Sequence, residues 1–282
     1  MARTPPSGRD ENTLTIARLS AAATSIWPMP AGRIAALPAP ALAAALELVH
    51  MRSDEPIQVA DLADAAGYSQ HHFSRMFAAS MGVAPAQYVC AHRIDAAKRM
   101  LLESDFPVID VATSVGFDSL SSFTRRFRDS VGVPPAHLRR LAGEVASTTL
   151  TPFSLGDGDA PTISVRMHFP PDDELSRGPG VPRATWVGWF PRPSPIGLPA
   201  EGMLTWTDEL ALPLCPGNPW LLGFTVSTNV EAHEVLAPEH PLVAIHMQPV
   251  FAPSDVTLRF DWADPFAVPM LPALPSLRTR QT

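Results

Sequence analysis

The stretch Val59-Ala-Asp-Leu-Ala-Asp-Ala-Ala-Gly67-Tyr-Ser69-Gln-His-His-Phe73-Ser-Arg75-Met-Phe77, closed by Gly82-Val-Ala-Pro85, decides the fold because the chain carries it twice. The second copy reads Val108-Ile-Asp-Val-Ala-Thr-Ser-Val-Gly116-Phe-Asp-Ser119-Leu-Ser-Ser-Phe123-Thr-Arg125-Arg-Phe127, closed by Gly132-Val-Pro-Pro135. The offset is 49 positions up to the glycine and 50 after it, so the second turn holds one added residue. Each copy sets an apolar helix, a Gly-aromatic turn and a second helix in the order of a helix-turn-helix. A repeated DNA-reading unit is the simplest explanation, and it predicts a transcription factor.

The second helix of each copy has two faces. Phe73, Met76 and Phe77 recur at i, i+3 and i+4 and form an apolar stripe, while His71, Ser74, Arg75 and Ala78 share another face. In the second copy Phe123, Phe127 and Val131 point inward, and Ser121, Thr124, Arg125 and Arg128 point outward. A face of Arg, His, Ser and Thr suits a major groove: Arg pairs with guanine O6 and N7, and hydroxyls donate or accept by context. Leu120 is placed to meet a thymine methyl. Ser69 and Ser119 stand as N-caps, and helix N-termini behind such caps hold phosphate. A helix with Arg opposite an apolar stripe is ordinarily a plain surface helix. The matched Gly-aromatic, Ser, Phe, Arg, Phe, Gly-Val and Pro positions of both copies outweigh that bland reading.

Residues of about 40–141 resemble the DNA-binding domain of the arabinose-regulator (AraC/XylS) family of bacterial transcription regulators. The resemblance rests on Arg93-Ile-Asp-Ala-Ala-Lys-Arg-Met-Leu-Leu102, Val108 to Ser119, and Phe123-Thr-Arg-Arg-Phe127. It implies seven helices, with a long central one holding two reading heads that enter successive major grooves. Carried over by position, the base-reading residues fall on His71, Ser74 and Arg75 in the first head and on Leu120, Ser121, Thr124 and Arg125 in the second. Ser69, Ser119 and Arg128 are the expected phosphate contacts. The resemblance also implies a double-stranded DNA operator as partner, RNA polymerase as a further one, and a companion domain that senses a small-molecule effector or mediates dimerisation. Here that companion domain follows the DNA-binding domain, whereas the commoner layout puts it first.

Composition bounds the remainder. At 282 residues, 46% hydrophobic, the chain has material for more than one core. Net charge is −7, which argues weakly against a nucleic-acid binder until it is resolved along the chain. Residues 40–140 carry ten basic and eleven acidic side chains, whereas from residue 150 onward seven basic side chains face fourteen acidic ones. The acidity lies in the C-terminal part, and DNA binding in the near-neutral repeat has to rely on locally focused Arg. Cys90 and Cys215 are too few for a disulfide framework and fit a reducing compartment. No uninterrupted apolar run approaches the ~20 residues of a membrane span. The expectation is a cytoplasmic protein, monomeric or homodimeric, with no membrane contact.

Four segments are expected. Residues 1–38, Pro-punctuated and aperiodic, read as a disordered or loosely ordered extension. Residues 39–142 read as the all-α double helix-turn-helix domain: a helix from Pro40 to Met51, the first unit over 57–80, a long helix from Pro85 to Leu102, the second unit over 107–130, and a short helix from Pro135. Residues 143–160 read as a linker. Residues 161–275 read as a β-rich, sandwich-like companion domain, because Ile163–His168, Trp186–Phe190, Leu222–Val226, Val243–Met247 and Val256–Asp261 show period-two segments between turn signals. Helical and strand segments are segregated, so separate domains are expected.

The rival chemistry is thin. His233, Glu234, His240 and His246, with Asp172, Asp173 and Glu174 elsewhere, lack a tight metal-ligand spacing. Cys215, in Leu-Cys-Pro-Gly, reads as an inert thiol near a turn. Trp186, Trp189, Phe190, Trp206, Trp220, Phe224 and Trp262 line an apolar pocket in one reading and fill a sandwich core in the more ordinary one. No catalytic residue, metal or cofactor is assigned, and a non-enzyme is expected. The alternative is an enzyme or ligand-processing domain tethered to a DNA-binding module.

Overall fold

The computed structural model describes residues 35–52, 57–145, 151–156, 159–171, 183–226 and 235–273. The extension expected over residues 1–38 lies outside them up to residue 34. The chain divides into two compact units, one ending at Val89 and one beginning at Cys90.

In the first unit, helix α1 (Ala39–Met51) buries Leu42, Ala45, Leu46 and Val49, with Pro40 in the first turn, where a missing N–H costs nothing. Helices α2 (Val59–Ala66) and α3 (Gln70–Met81) form the first helix-turn-helix. Phe73, Met76 and Phe77 are buried, as the stripe predicts. Phe73 lies against Phe77 with ring centroids 5.3 Å apart, and Phe77 meets Tyr88 edge-on at 5.5 Å. Tyr88 opens the buried face of α4 (Pro85–Glu103), a helix of 19 residues and so about 28 Å long.

The second unit repeats the head and adds the strands. Helices α5 (Val108–Ser114) and α6 (Leu120–Val131) form the second helix-turn-helix, and α7 (Pro135–Val145) follows. Phe123 and Phe127 reproduce the aromatic pair of the first head at 5.5 Å. Among the described residues, strands β1 (Phe153–Leu155), β2 (Thr162–His168), β3 (Ala184–Phe190), β4 (Glu201–Thr205), β5 (Glu209–Pro213), β6 (Trp220–Val226), β7 (Leu242–Ile245), β8 (Asp255–Arg259) and β9 (Asp261–Trp262) build two sheets. One is six-stranded in the order β1-β4-β3-β6-β7-β9; the other is three-stranded in the order β5-β2-β8, with β2 and β8 parallel.

The sheets face each other across one core. Ile163, Val165 and Met167 of β2 pack with Val187 and Trp189 of β3 and Leu221 of β6. Strand β2 alternates exposed and buried residues as a one-sided strand must, whereas every residue of β3 is buried. Its second face packs Ala184 and Trp186 with Leu204, Phe224 and Val226. The helix-then-sheet architecture therefore matches the sequence reading. A third core in the same unit joins the second head to residues far along the chain: Phe123, Phe127, Val131 and Leu138 share it with Leu236, Leu271 and Ala273.

Candidate DNA interface

Both heads turn on a glycine in the left-handed region. Gly67 has φ +75° and Gly116 φ +80°. In each, the aromatic residue after the glycine donates its N–H back into the preceding helix, Tyr68 to Ala63 O and Phe117 to Ala112 O, both at 2.9 Å. That is the Schellman closure of a helix C-terminus. It turns the chain sharply enough for the next helix to cross the first. The added residue of the second copy is absorbed after this closure, in Asp118, before Ser119 resumes the register.

Ser69 and Ser119 both occupy the N-cap position in extended backbone conformation. Ser119 Oγ accepts from the Ser122 N–H at 3.4 Å and shares a hydrogen bond with Ser121 Oγ at 2.9 Å. Ser69 makes no side-chain cap bond. Its hydroxyl is exposed beside the first-turn N–H groups of α3, where an anion can be received.

On α3, His71 and Arg75 are exposed and Ser74 is half-buried, donating its hydroxyl to Gln70 O at 2.7 Å. That bond leaves the Ser74 oxygen free to accept. On α6, Leu120, Ser121 and Arg125 are exposed and Thr124 is half-buried. Leu120 keeps 40% of its surface accessible, an open apolar group among polar ones. The two arginines at matched positions are equally uncommitted: neither Arg75 nor Arg125 has an ion pair or side-chain hydrogen bond among the described residues, although Arg99, Arg166 and Arg183 each pair with a carboxylate. Arg128 is exposed but leans on Asp129 at 3.4 Å, which lowers its net attraction for phosphate.

The second head is braced from α4. Arg93 Nη1 donates to Gly116 O at 3.0 Å, and burial holds its guanidinium below the usual arginine value against the opposing pull of Cys90 and Asp118. Lys98, absent from the sequence reading of the site, is fully buried. Its ammonium donates to Leu271 O at 2.9 Å. Burial pushes its pKa down to about 8, with Asp95 working the other way. As the only lysine of the chain on an amphipathic helix, it carried no sign of burial in the sequence.

Burial raises the Cys215 thiol, which disfavours the reactive thiolate, and burial likewise lowers His246. Among the described residues no three His, Cys, Asp or Glu side chains gather as a metal site. His233, Glu234, Asp172, Asp173 and Glu174 lie outside the described residues. Trp186, Trp189, Phe190 and Phe224 are fully or almost fully buried in the cores. A cleft of about 190 Å³ opens instead among Ser154, Thr162, Glu201, Met203 and Leu212. No described helix is long and apolar enough to cross a membrane.

Residues 62–141 match the family model described as a helix-turn-helix domain. A Streptomyces lividans protein described as an AraC-like transcription regulator is 35% identical over 109 residues, 39% of this chain and 36% of its own length. The transcriptional regulator Rob of Salmonella typhimurium is 33% identical over 108 residues, 38% of this chain and 37% of its own. Among solved structures, the DNA-binding domain of AdpA, a global transcriptional factor in complex with a target DNA, is 32% identical over 36% of this chain and 93% of that one, with a TM-score of 0.35. The chain thus spans little more than a third of the length of the curated relatives it matches.

Proposed function

We propose, for a chain whose residues 62–141 are an AraC-type helix-turn-helix domain, that the protein is a sequence-specific transcription regulator whose two recognition helices read successive major grooves of one operator. The observation that carries this reading is the pair Arg75 and Arg125. They stand at matched positions of α3 and α6, exposed and without a protein partner among the described residues, which leaves each guanidinium available to pair with guanine O6 and N7. His71 and Ser74 read beside Arg75; Leu120, Ser121 and Thr124 read beside Arg125. Ser69, Ser119 and Arg128 hold phosphate and fix the register, which positions the heads without specifying sequence. The strand-rich region, with its excess of acidic side chains, stays off the duplex and serves sensing or dimerisation rather than turnover. RNA polymerase and a small-molecule effector are the remaining partners of this reading, and the cytoplasm is its compartment. Genome-wide mapping of bound sites tests it: discrete sites in front of genes, sharing a common sequence, are expected. Diffuse occupancy without a shared sequence would overturn it.

A further inference from the structure

The second head does not close its own core. Leu236, Leu271 and Ala273 are at most 1% exposed and pack in the same cluster as Phe123, Phe127, Val131 and Leu138, and Ile196 and Val268 lie against that cluster. Two main-chain contacts fix the C-terminal segment there. Leu271 O accepts from the buried Lys98 ammonium at 2.9 Å, and the Ala273 N–H donates to Val131 O, the last residue of α6, at 3.0 Å. Helix-terminal carbonyls are where such a bond adds most, since the helix itself cannot satisfy them. One segment therefore grips both the helix that carries the head and the end of the recognition helix. A second strand-region loop joins in, because Arg99 reaches Ala237 O at 3.5 Å and Pro238 O at 3.4 Å.

From this packing we propose that residues 268–273 form an intramolecular clamp that positions α6, so that the strand-rich region controls DNA recognition through the second head. The inference rests on the DNA-binding reading above. Lys98 and Leu271 are positioning residues: they touch no base but hold the helix that does. A perturbation of the strand-rich region that shifts this segment changes how Ser121, Thr124 and Arg125 are presented.

The test uses the full-length chain with two variants. Leu271→Ala thins the packing and keeps the main-chain oxygen; Ala273→Pro removes the N–H that Val131 O accepts and leaves every helix residue unchanged. Hydrogen exchange is read first without DNA: amides of α6 are expected to exchange at least ~10-fold faster in both variants, with those of α3 unchanged. Selection from a random duplex library is read next: base preference is expected to fall at least ~10-fold in the half-site read by the second head and to hold within ~2-fold in the other, a tenfold change corresponding to about 1.4 kcal/mol. If both helices loosen equally, or neither does in folded variants, the clamp is refuted. If the unmodified chain itself selects no sequence, the DNA-binding reading fails, and the exchange pattern alone decides the clamp.

Discussion

The ammonium of Lys98 donates to the main-chain oxygen of Leu271 at 2.9 Å, across 173 residues of sequence. A fully buried lysine is unusual, because taking a charge out of water costs more than one neutral acceptor returns. It is tolerated here with a pKa lowered to about 8 by burial. The ordinary value of 10.5 applies to the unfolded chain, so between about pH 8 and 10.5 the unfolded state binds more protons than the folded one. This group therefore makes stability rise with pH across that window, and its penalty is fully present below it.

Because Lys98 is the only lysine, labelling lysine with carbon-13 gives one side-chain signal, and its titration midpoint is expected near pH 8. The Lys98→Met variant is expected to lose this group's share of the pH dependence of the melting temperature. A midpoint above 10 would place the side chain in water.

Phe73→Ala and Phe127→Ala each empty a site that is fully buried. Each is expected to cost on the order of 3–5 kcal/mol, read by chemical denaturation. A cost under about 1 kcal/mol for either would mean that the repeated aromatic pair is not the core of its head.

Gly67 and Gly116 separate backbone strain from crowding. Both sit at positive φ, so alanine at either is expected to cost about 1 kcal/mol for the left-handed conformation alone. A Cβ on Gly67 meets nothing within 4 Å, whereas one on Gly116 comes within 3.0 Å of the Arg93 guanidinium carbon. Gly116→Ala is expected to be the worse of the two in thermal melts, with partial relief in an Arg93→Ala background. Equal costs would show that Arg93 yields freely.

Much of this was legible in the sequence, for identifiable reasons. The repeat placed the turns because Gly67 and Gly116 need a conformation that only glycine adopts readily. It placed Phe73, Phe77, Phe123 and Phe127 because helical spacing forces them onto one side. Strand β2 was readable because one face is wet and its residues alternate. Strands β4 and β5 were not: Gly-Met-Leu-Thr and Glu-Leu-Ala-Leu-Pro are short, and most of their signal comes from tertiary cover. The docking of Leu271 was also beyond reach, since a leucine between prolines has no period and its partners on the helices lie more than a hundred residues away. Lys98 reads as a solvated helix residue unless the segment that covers it is known.

Arg75→Ala and Arg125→Ala separate base reading from phosphate holding. If each guanidinium contacts a guanine, each variant is expected to lose about 1–3 kcal/mol, concentrated at one base pair of one half-site. Competition against single-base operator variants measures this. Uniform weakening on every sequence would make them phosphate contacts and would reassign the reading to the neighbouring side chains.

The most direct test of the central claim is selection of the full-length chain against a random duplex library, read as base preference along the recovered sites. Two blocks of preferred bases about one helical turn, ~10 base pairs, apart are expected, one block lost in Arg75→Ala and the other in Arg125→Ala. Recovery of sequences with no preferred base, or of a single block indifferent to both substitutions, would contradict it.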